Sequence, residues 1–255
     1  MKQSLVLIAE DDELSYKMLT IILAKQGYSF IHATNGKEAL DAYLRERPDL
    51  VLLDIQMPDM DGIEACKLMR NQEPAGSHTP ILAITASPGR YYDPELKQGL
   101  FDEFIAKPYE VKTLTEIIAN HLQASKVDSN PTPSTSATPS ALDVEGALVQ
   151  VGNDMEVFKE IFSEFLQSLP GRMEQMRANM EKRNMESLAR LAHNLKGISA
   201  NLGANMLSTL SASLEDESDA AHVEAAAEIL KKIEEHEEIL SQEFHSLCEK
   251  YPTAR

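Results

Sequence analysis

Two groups of residues in this 255-residue chain have types and spacing suited to chemistry. The first centres on His193 in the string Leu191-Ala192-His193-Asn194-Leu195-Lys196-Gly197. Leu188, Leu191, Leu195, Ile198 and Leu202 recur at three- and four-residue intervals and define the buried stripe of a helix. His193 stands two residues past Leu191, roughly 200° round the helix, so it faces away from that stripe. Its own face carries Ala189, Gly197 and Ala200, all small, with Arg190 and Lys196 three residues to either side. A glycine costs a helix about 1 kcal/mol relative to alanine, so Gly197 implies that another surface comes close. A lone helical histidine is ordinarily a solvated surface group. The small-residue collar and the basic flank point instead to a functional imidazole.

The second group consists of polar residues that end apolar runs. The run Leu5–Ala9 leads into Glu10-Asp11-Asp12, Leu50–Leu53 ends in Asp54, Ile81–Ile84 ends in Thr85, and Phe104–Ala106 leads into Lys107-Pro108. Each has an ordinary explanation alone: a helix cap, a good strand residue, a solvated lysine. In a parallel α/β sheet, however, ligands collect at the carboxyl ends of the strands, and these four ends converge there. Clustered carboxylates repel unless a cation lies between them, and a hard divalent ion such as Mg²⁺ suits oxygen ligands. With the metal and Lys107 neutralising charge, Asp54 is the nucleophile for an incoming phosphoryl group, a transfer that depends mainly on positioning and electrostatics. The Thr85 hydroxyl is placed to hydrogen-bond the new phosphoryl oxygen and so to act as a switch.

The elements that must hold these groups fall into two halves. Five strands are expected at 5–9, 28–33, 50–53, 81–85 and 104–106, separated by helical stretches near 13–26, 36–47, 61–72 and 90–98, with a last one near 111–122. After residue 141 every segment reads helical, around 143–150, 154–182, 184–202, 205–216 and 220–249. Pro170-Gly171 marks a kink or break in the second of these. That half is expected to be an up-and-down bundle. Between the halves, residues 124–141 are rich in Ser, Thr and Pro and lack apolar periodicity, as expected of a disordered tether spanning on the order of 20–25 Å.

Composition narrows the function. Acidic residues outnumber basic ones by 41 to 24, and neither half carries the basic surplus that phosphate-backbone binding needs, so no nucleic-acid partner is expected. The N-terminal apolar run is too short for a signal segment or a membrane span, so no membrane partner is expected either. Cys66 and Cys248 stand alone in different halves, which fits a reducing cytoplasm.

The strand-end residues, together with Leu53-Asp54-Ile55-Gln56-Met57-Pro58-Asp59-Met60-Asp61-Gly62, closely resemble the receiver domain of two-component response regulators across residues 4 to about 122. The resemblance implies a flavodoxin-like α/β fold with a doubly wound five-stranded parallel sheet of order 2-1-3-4-5. It implies Asp54 as phosphoacceptor and Glu10 and Asp11 as the acidic pair of the metal site. Mg²⁺ would be held by Asp11, Asp54 and the main-chain carbonyl of Gln56. Thr85 becomes the switch hydroxyl, Lys107 the phosphate-binding lysine, and Ala86 a further phosphate contact. The Lys107–Pro108 peptide is commonly cis in that family. Phe104 stands where the family often has a switch tyrosine, and Pro88, Gly89 and Pro94 fall where the fourth helix should begin, so that helix is expected to be short or loose. Gln56 and Ser87 flank the expected path of the hydrolytic water.

The string Leu191 to Ala204 is similar to the signature of histidine phosphotransfer (HPt) domains, and the resemblance spans roughly 142–250. By it, His193 is the phosphoacceptor, Lys196 helps bind the phosphoryl group, and Gly197 and Ala200 leave room for a docking receiver. Asn194 replaces the Thr or Ser frequently found beside the histidine, a change expected to be tolerated. Such a bundle adds little catalysis of its own, because neutral imidazole is already a good nucleophile.

The expectation is therefore a receiver domain over 1–123, a linker over 124–141 and a phosphotransfer bundle over 142–255. Together they form a phosphorelay intermediate between an upstream sensor histidine kinase and a downstream response-regulator receiver, not an ATP-dependent enzyme. A haloacid-dehalogenase-like phosphatase would need a second Asp two residues after Asp54, where Gln56 stands, and no glycine-rich ATP-binding segment suggests a kinase. Two alternatives stay open. One is a binding module controlled by phosphate on Asp54. The other is the tail of a hybrid kinase, against which the position of Met1 just before the first strand speaks.

Overall fold

The computed structural model describes residues 3–74, 76–86, 100–122 and 142–251. Strands β1 (Leu5–Ala9), β2 (Ser29–Ala33), β3 (Leu50–Asp54), β4 (Ile81–Thr85) and β5 (Glu103–Ala106) form one parallel sheet in the order β2-β1-β3-β4-β5. β3 and β4 are buried at all five positions, which is why they read as unbroken apolar runs and not as alternating ones. The register pairs Ala9 with Leu53, Asp54 with Ile84 and Thr85 with Ala106, so the carboxyl ends of four strands finish level.

Helices α1 (Glu13–Lys25), α2 (Gly36–Glu46), α3 (Gly62–Asn71) and α4 (Val111–Leu122) cover the two faces. The first three start from side-chain caps. Asp12 accepts from the amides of Leu14 and Ser15, Asn35 from Glu38, and Asp61 from Glu64, satisfying donors that a helix start leaves open. Gly62 is required by close approach, because a Cβ there would collide with the Asp54 main-chain carbonyl while its amide binds the Ile55 carbonyl at 2.9 Å. The expected helix at 90–98, Ser87 and the linker over 124–141 fall outside the described residues.

The second half comprises a short α5 (Val144–Gln150) and four longer helices, α6 (Met155–Glu181), α7 (Met185–Asn201), α8 (Asn205–Asp219) and α9 (Val223–Lys250). Each longer helix contacts its sequence neighbour and the last closes on the first, around a core that includes Phe158, Phe162, Phe165, Leu195, Ile198, Leu214 and Ile233. Phe162 and Phe244 stack with centroids 4.6 Å apart and tie α6 to α9. Of the kink or break expected at Pro170-Gly171, the break does not occur: α6 runs through both residues. Both residues lie on the exposed side, while Phe165, Leu169, Met173 and Met176 keep one buried stripe on either side of the proline. Burial of that stripe, at about 1.5–3 kcal/mol per large apolar side chain, outweighs the roughly 3 kcal/mol that an interior proline costs.

The two halves touch. Leu14 and Met18 of α1 belong to the apolar cluster of the bundle, with Ile21 packed beside them. Lys17 pairs with Glu160 and Glu164 at 2.9 and 2.7 Å, and Arg172 pairs with Asp12 at 2.6 Å.

Candidate functional site

The level strand ends bring the expected polar residues together. Lys107 Nζ lies 2.7 Å from Glu10 Oε2 and 2.6 Å from Asp54 Oδ2, and all three side chains are buried. The Gln56 amide donates to Asp54 Oδ1 at 2.9 Å. Thr85 is fully buried at the end of β4, and its carbonyl accepts from the Lys107 amide at 2.7 Å, closing the strand end beside Ala86. The Lys107–Pro108 peptide is cis. Phe104 is partly buried and meets Phe101 edge-on at 5.2 Å.

Glu10, Asp11 and Asp54 each offer an oxygen within 4.8 Å of the others. Burial pushes the Glu10 carboxyl well above its ordinary range against the attraction of Lys107, and neighbouring Asp54 and Asp12 add to the rise. Burial also pushes Asp11 up to about 6, although a hydrogen bond from Asn194 opposes it. Burial would raise Asp54 as well. The Lys107 charge, followed by His193 and the Gln56 amide, instead holds it below the usual carboxylate range. Asp11 Oδ1 is buried without a hydrogen-bond partner. An acid cluster with one unpartnered oxygen and two carboxyls resisting ionisation fits a hard divalent cation.

His193 stands off the apolar stripe that α7 gives to the bundle core, and it is only 1% exposed. Its neighbours on α7 meet the sheet domain. Next to His193, Asn194 donates to Asp11 Oδ2 at 2.9 Å. One turn on, a Cβ at Gly197 would stand 3.3 Å from Lys107 Cδ and 3.6 Å from the Ala86 Cβ. Asn194, expected to be merely tolerated, thus makes a contact between the two halves. Ala200 is half-buried. Beside the ring, a cleft of ≈ 290 Å³ is lined by residues of both halves, among them Gln56, Met57, Ala189, Arg190 and Glu215.

Sequence reasoning missed Glu215. This residue of α8 is 2% exposed and receives His193 Nδ1 at 3.1 Å and Lys196 Nζ at 2.6 Å. Burial would raise its carboxyl, but the hydrogen bonds and charges of His193 and Lys196 hold it down to about 2. An ionised carboxylate only accepts, so Nδ1 must be the protonated nitrogen. In the neutral ring the lone pair then lies on Nε2, which is buried and has no hydrogen-bond partner.

Residues 6–119 match the response regulator receiver domain model, and residues 160–243 match the Hpt domain model. The polar-differentiation response regulator DivK of Brucella anthropi is 36% identical over 117 residues, spanning 46% of this chain and 94% of that protein. The chain belongs to the response regulator receiver family. DivK of Brucella ovis is 35% identical over the same length. Among solved structures, the receiver domain of a sensor histidine kinase from Pseudomonas aeruginosa, with a magnesium ion coordinated in its active-site cleft, is 27% identical. It covers 48% of this chain and all of that one, at a TM-score of 0.44. A response regulator from Chloroflexus aurantiacus is 31% identical and covers 48% of this chain and 99% of that one, also at 0.44. A receiver and an Hpt domain in one chain make it a two-component phosphorelay intermediate, a phosphotransfer protein. No described helix is long and apolar enough to cross a membrane.

Proposed function

We propose that Asp54 of a receiver domain over 1–123 accepts a phosphoryl group and that His193 of an Hpt domain over 142–255 carries one, with residues 124–141 as the linker. A sensor histidine kinase feeds the relay and the aspartate of a response-regulator receiver drains it. Support comes chiefly from one observation: Lys107 bridges Glu10 and Asp54 at hydrogen-bond distance beside a trio of converging carboxylates. Glu10, Asp11, Asp54 and the Gln56 carbonyl would hold Mg²⁺, which supplies charge neutralisation for the phosphoryl oxygens.

The chain's own residues do the rest. The Asp54 carboxylate, held ionised, is the nucleophile, and Lys107 Nζ is placed to balance charge that builds on the transferred group. The Thr85 hydroxyl and Ala86 meet the bound phosphoryl, and with Phe104 they report its presence. On the other side, Glu215 fixes the tautomer of His193 and Lys196 stays with Glu215 at the edge of the ring. Gly197 and Ala200 let a receiver approach. The free thiols of Cys66 and Cys248 fit a reducing, cytoplasmic setting.

Acetyl phosphate with Mg²⁺ should label the wild-type protein at Asp54 and leave Asp54→Ala unlabelled, while transfer to a downstream receiver should vanish in His193→Gln. Equal labelling after Asp54→Ala, or persistent transfer from His193→Gln, overturns the assignment.

A further inference from the structure

We propose that the receiver and the Hpt domain of one chain are a phosphoryl-exchange pair, Asp54 and His193 passing the group to each other inside the docked interface. The inference rests on the assignment of those two residues as phosphoryl carriers, and it adds who exchanges with whom.

His193 is 1% exposed in the full chain, and its neighbours Asn194 and Gly197 on the same helix both meet the receiver. The contacts between the halves join the surroundings of one site to the surroundings of the other. Asn194 binds Asp11, and Gly197 sits against Lys107 and Ala86. Asp12, two residues past Glu10, holds Arg172 of α6. Along α1, Lys17 meets Glu160 and Glu164, Lys25 Nζ reaches the Val151 carbonyl at 3.3 Å, and Leu14 and Met18 enter the bundle core. An adventitious contact would not be expected to combine buried apolar side chains, three ion pairs and a hydrogen bond to a carboxylate of the receiver site. Asn194 sets the register, because its bond to Asp11 fixes the neighbouring turn of α7 over the strand ends.

The transfer balances without a proton leaving. The Nε2 lone pair of neutral His193 forms the N–P bond as the P–O bond to Asp54 breaks, and the electron pair of that bond returns to the Asp54 carboxylate. The Nδ1 proton stays where it is, donated to Glu215, which offsets the positive charge the phosphorylated ring acquires. The reverse step regenerates the acyl phosphate. A receiver on another protein needs the same face of α7, so it competes with the chain's own receiver for His193.

Intramolecular exchange has a kinetic signature. Partners joined on one chain see each other at effective concentrations on the order of millimolar, far above a micromolar assay. The full-length protein is labelled at Asp54 with radioactive acetyl phosphate and freed of reagent. Appearance of base-stable, acid-labile phosphohistidine is then followed at protein concentrations from about 1 to about 100 μM. The rate should not change with concentration, and at 1 μM an equimolar mixture of Asp54→Ala and His193→Gln chains should be at least tenfold slower. Arg172→Glu, which breaks the pair with Asp12 and leaves both phosphoryl carriers intact, should slow exchange about fivefold or more and speed transfer from His193 to an outside receiver. A rate proportional to concentration, or a mixture as fast as wild type, overturns cis exchange while leaving both carriers assigned. Failure of Asp54 to take label at all overturns the assignment of the carriers as well.

Discussion

Glu215→Gln separates the tautomer argument from simple packing, because glutamine keeps the shape and loses the charge. The Glu215 carboxyl lies near 4.5 ordinarily and at about 2 in the folded chain. At 1.36 kcal/mol per tenfold change in proton affinity, that difference corresponds to on the order of 3 kcal/mol, which residual solvent screening reduces to about 2 kcal/mol. The folded value is the lower one, so this stability is fully present above about pH 4.5 and is lost as pH falls towards 2. Paired urea titrations should therefore show the wild type about 2 kcal/mol more stable than the variant at pH 7, with more than half of the gap gone by pH 3. The glutamine amide can donate to Nδ1 as well as accept from it, which admits the tautomer whose Nε2 carries the proton and cannot attack. Phosphohistidine formation should slow about 10- to 100-fold, or about 1.4–2.8 kcal/mol in the barrier. A variant as stable as wild type at pH 7, or one that phosphorylates at the wild-type rate, refutes the reasoning.

Gly197→Ala should act with opposite signs on two readouts. The helix gains up to about 1 kcal/mol from the better helix former, while a Cβ 3.3 Å from Lys107 Cδ presses on a lysine held by two carboxylates, so the bundle melts higher and transfer slows severalfold. Cys66 is fully buried, its thiol pushed up to about 12 by burial and its sulfur facing the Leu100 carbonyl. Iodoacetamide at pH 8 should modify the half-buried Cys248 first and spare Cys66 in the native protein, as peptide mapping would read. Mg²⁺ at a hundredfold excess over its Kd should stabilise the wild type by about 2.7 kcal/mol and Asp11→Asn far less, an effect that chelator removes in a thermal melt.

The sheet and the receiver site were legible because both are written locally. Unbroken apolar runs mark strands buried on two faces, and a polar residue at the end of each run has one place to go once the sheet is parallel. His193 was legible for the same reason, since its angle from Leu188, Leu195 and Ile198 follows from helical periodicity alone. Glu215 was not. It lies on another helix, inside the acidic run Glu215-Asp216-Glu217, and only the packing of α8 on α7 selects it from its neighbours. The continuity of α6 through Pro170 was hidden because the local cost of a proline is visible in sequence and the packed stripe that offsets it is not. The contacts between the halves were equally hidden: Asp12 reads as a helix cap, which it is, and its second partner Arg172 is set by docking.

Leu14 and Met18 have a consequence for how the protein is made. A ribosome delivers the receiver first, and until α6 to α9 have been synthesised and folded the side of α1 that carries these two residues has nothing to cover it. The nascent receiver therefore presents a small greasy patch flanked by Lys17, a surface that chaperones or a stray bundle from a neighbouring chain would recognise. The order of domains along the polypeptide thus makes co-translational quality control, and the chance of swapping halves between two chains, part of the biology of this interface.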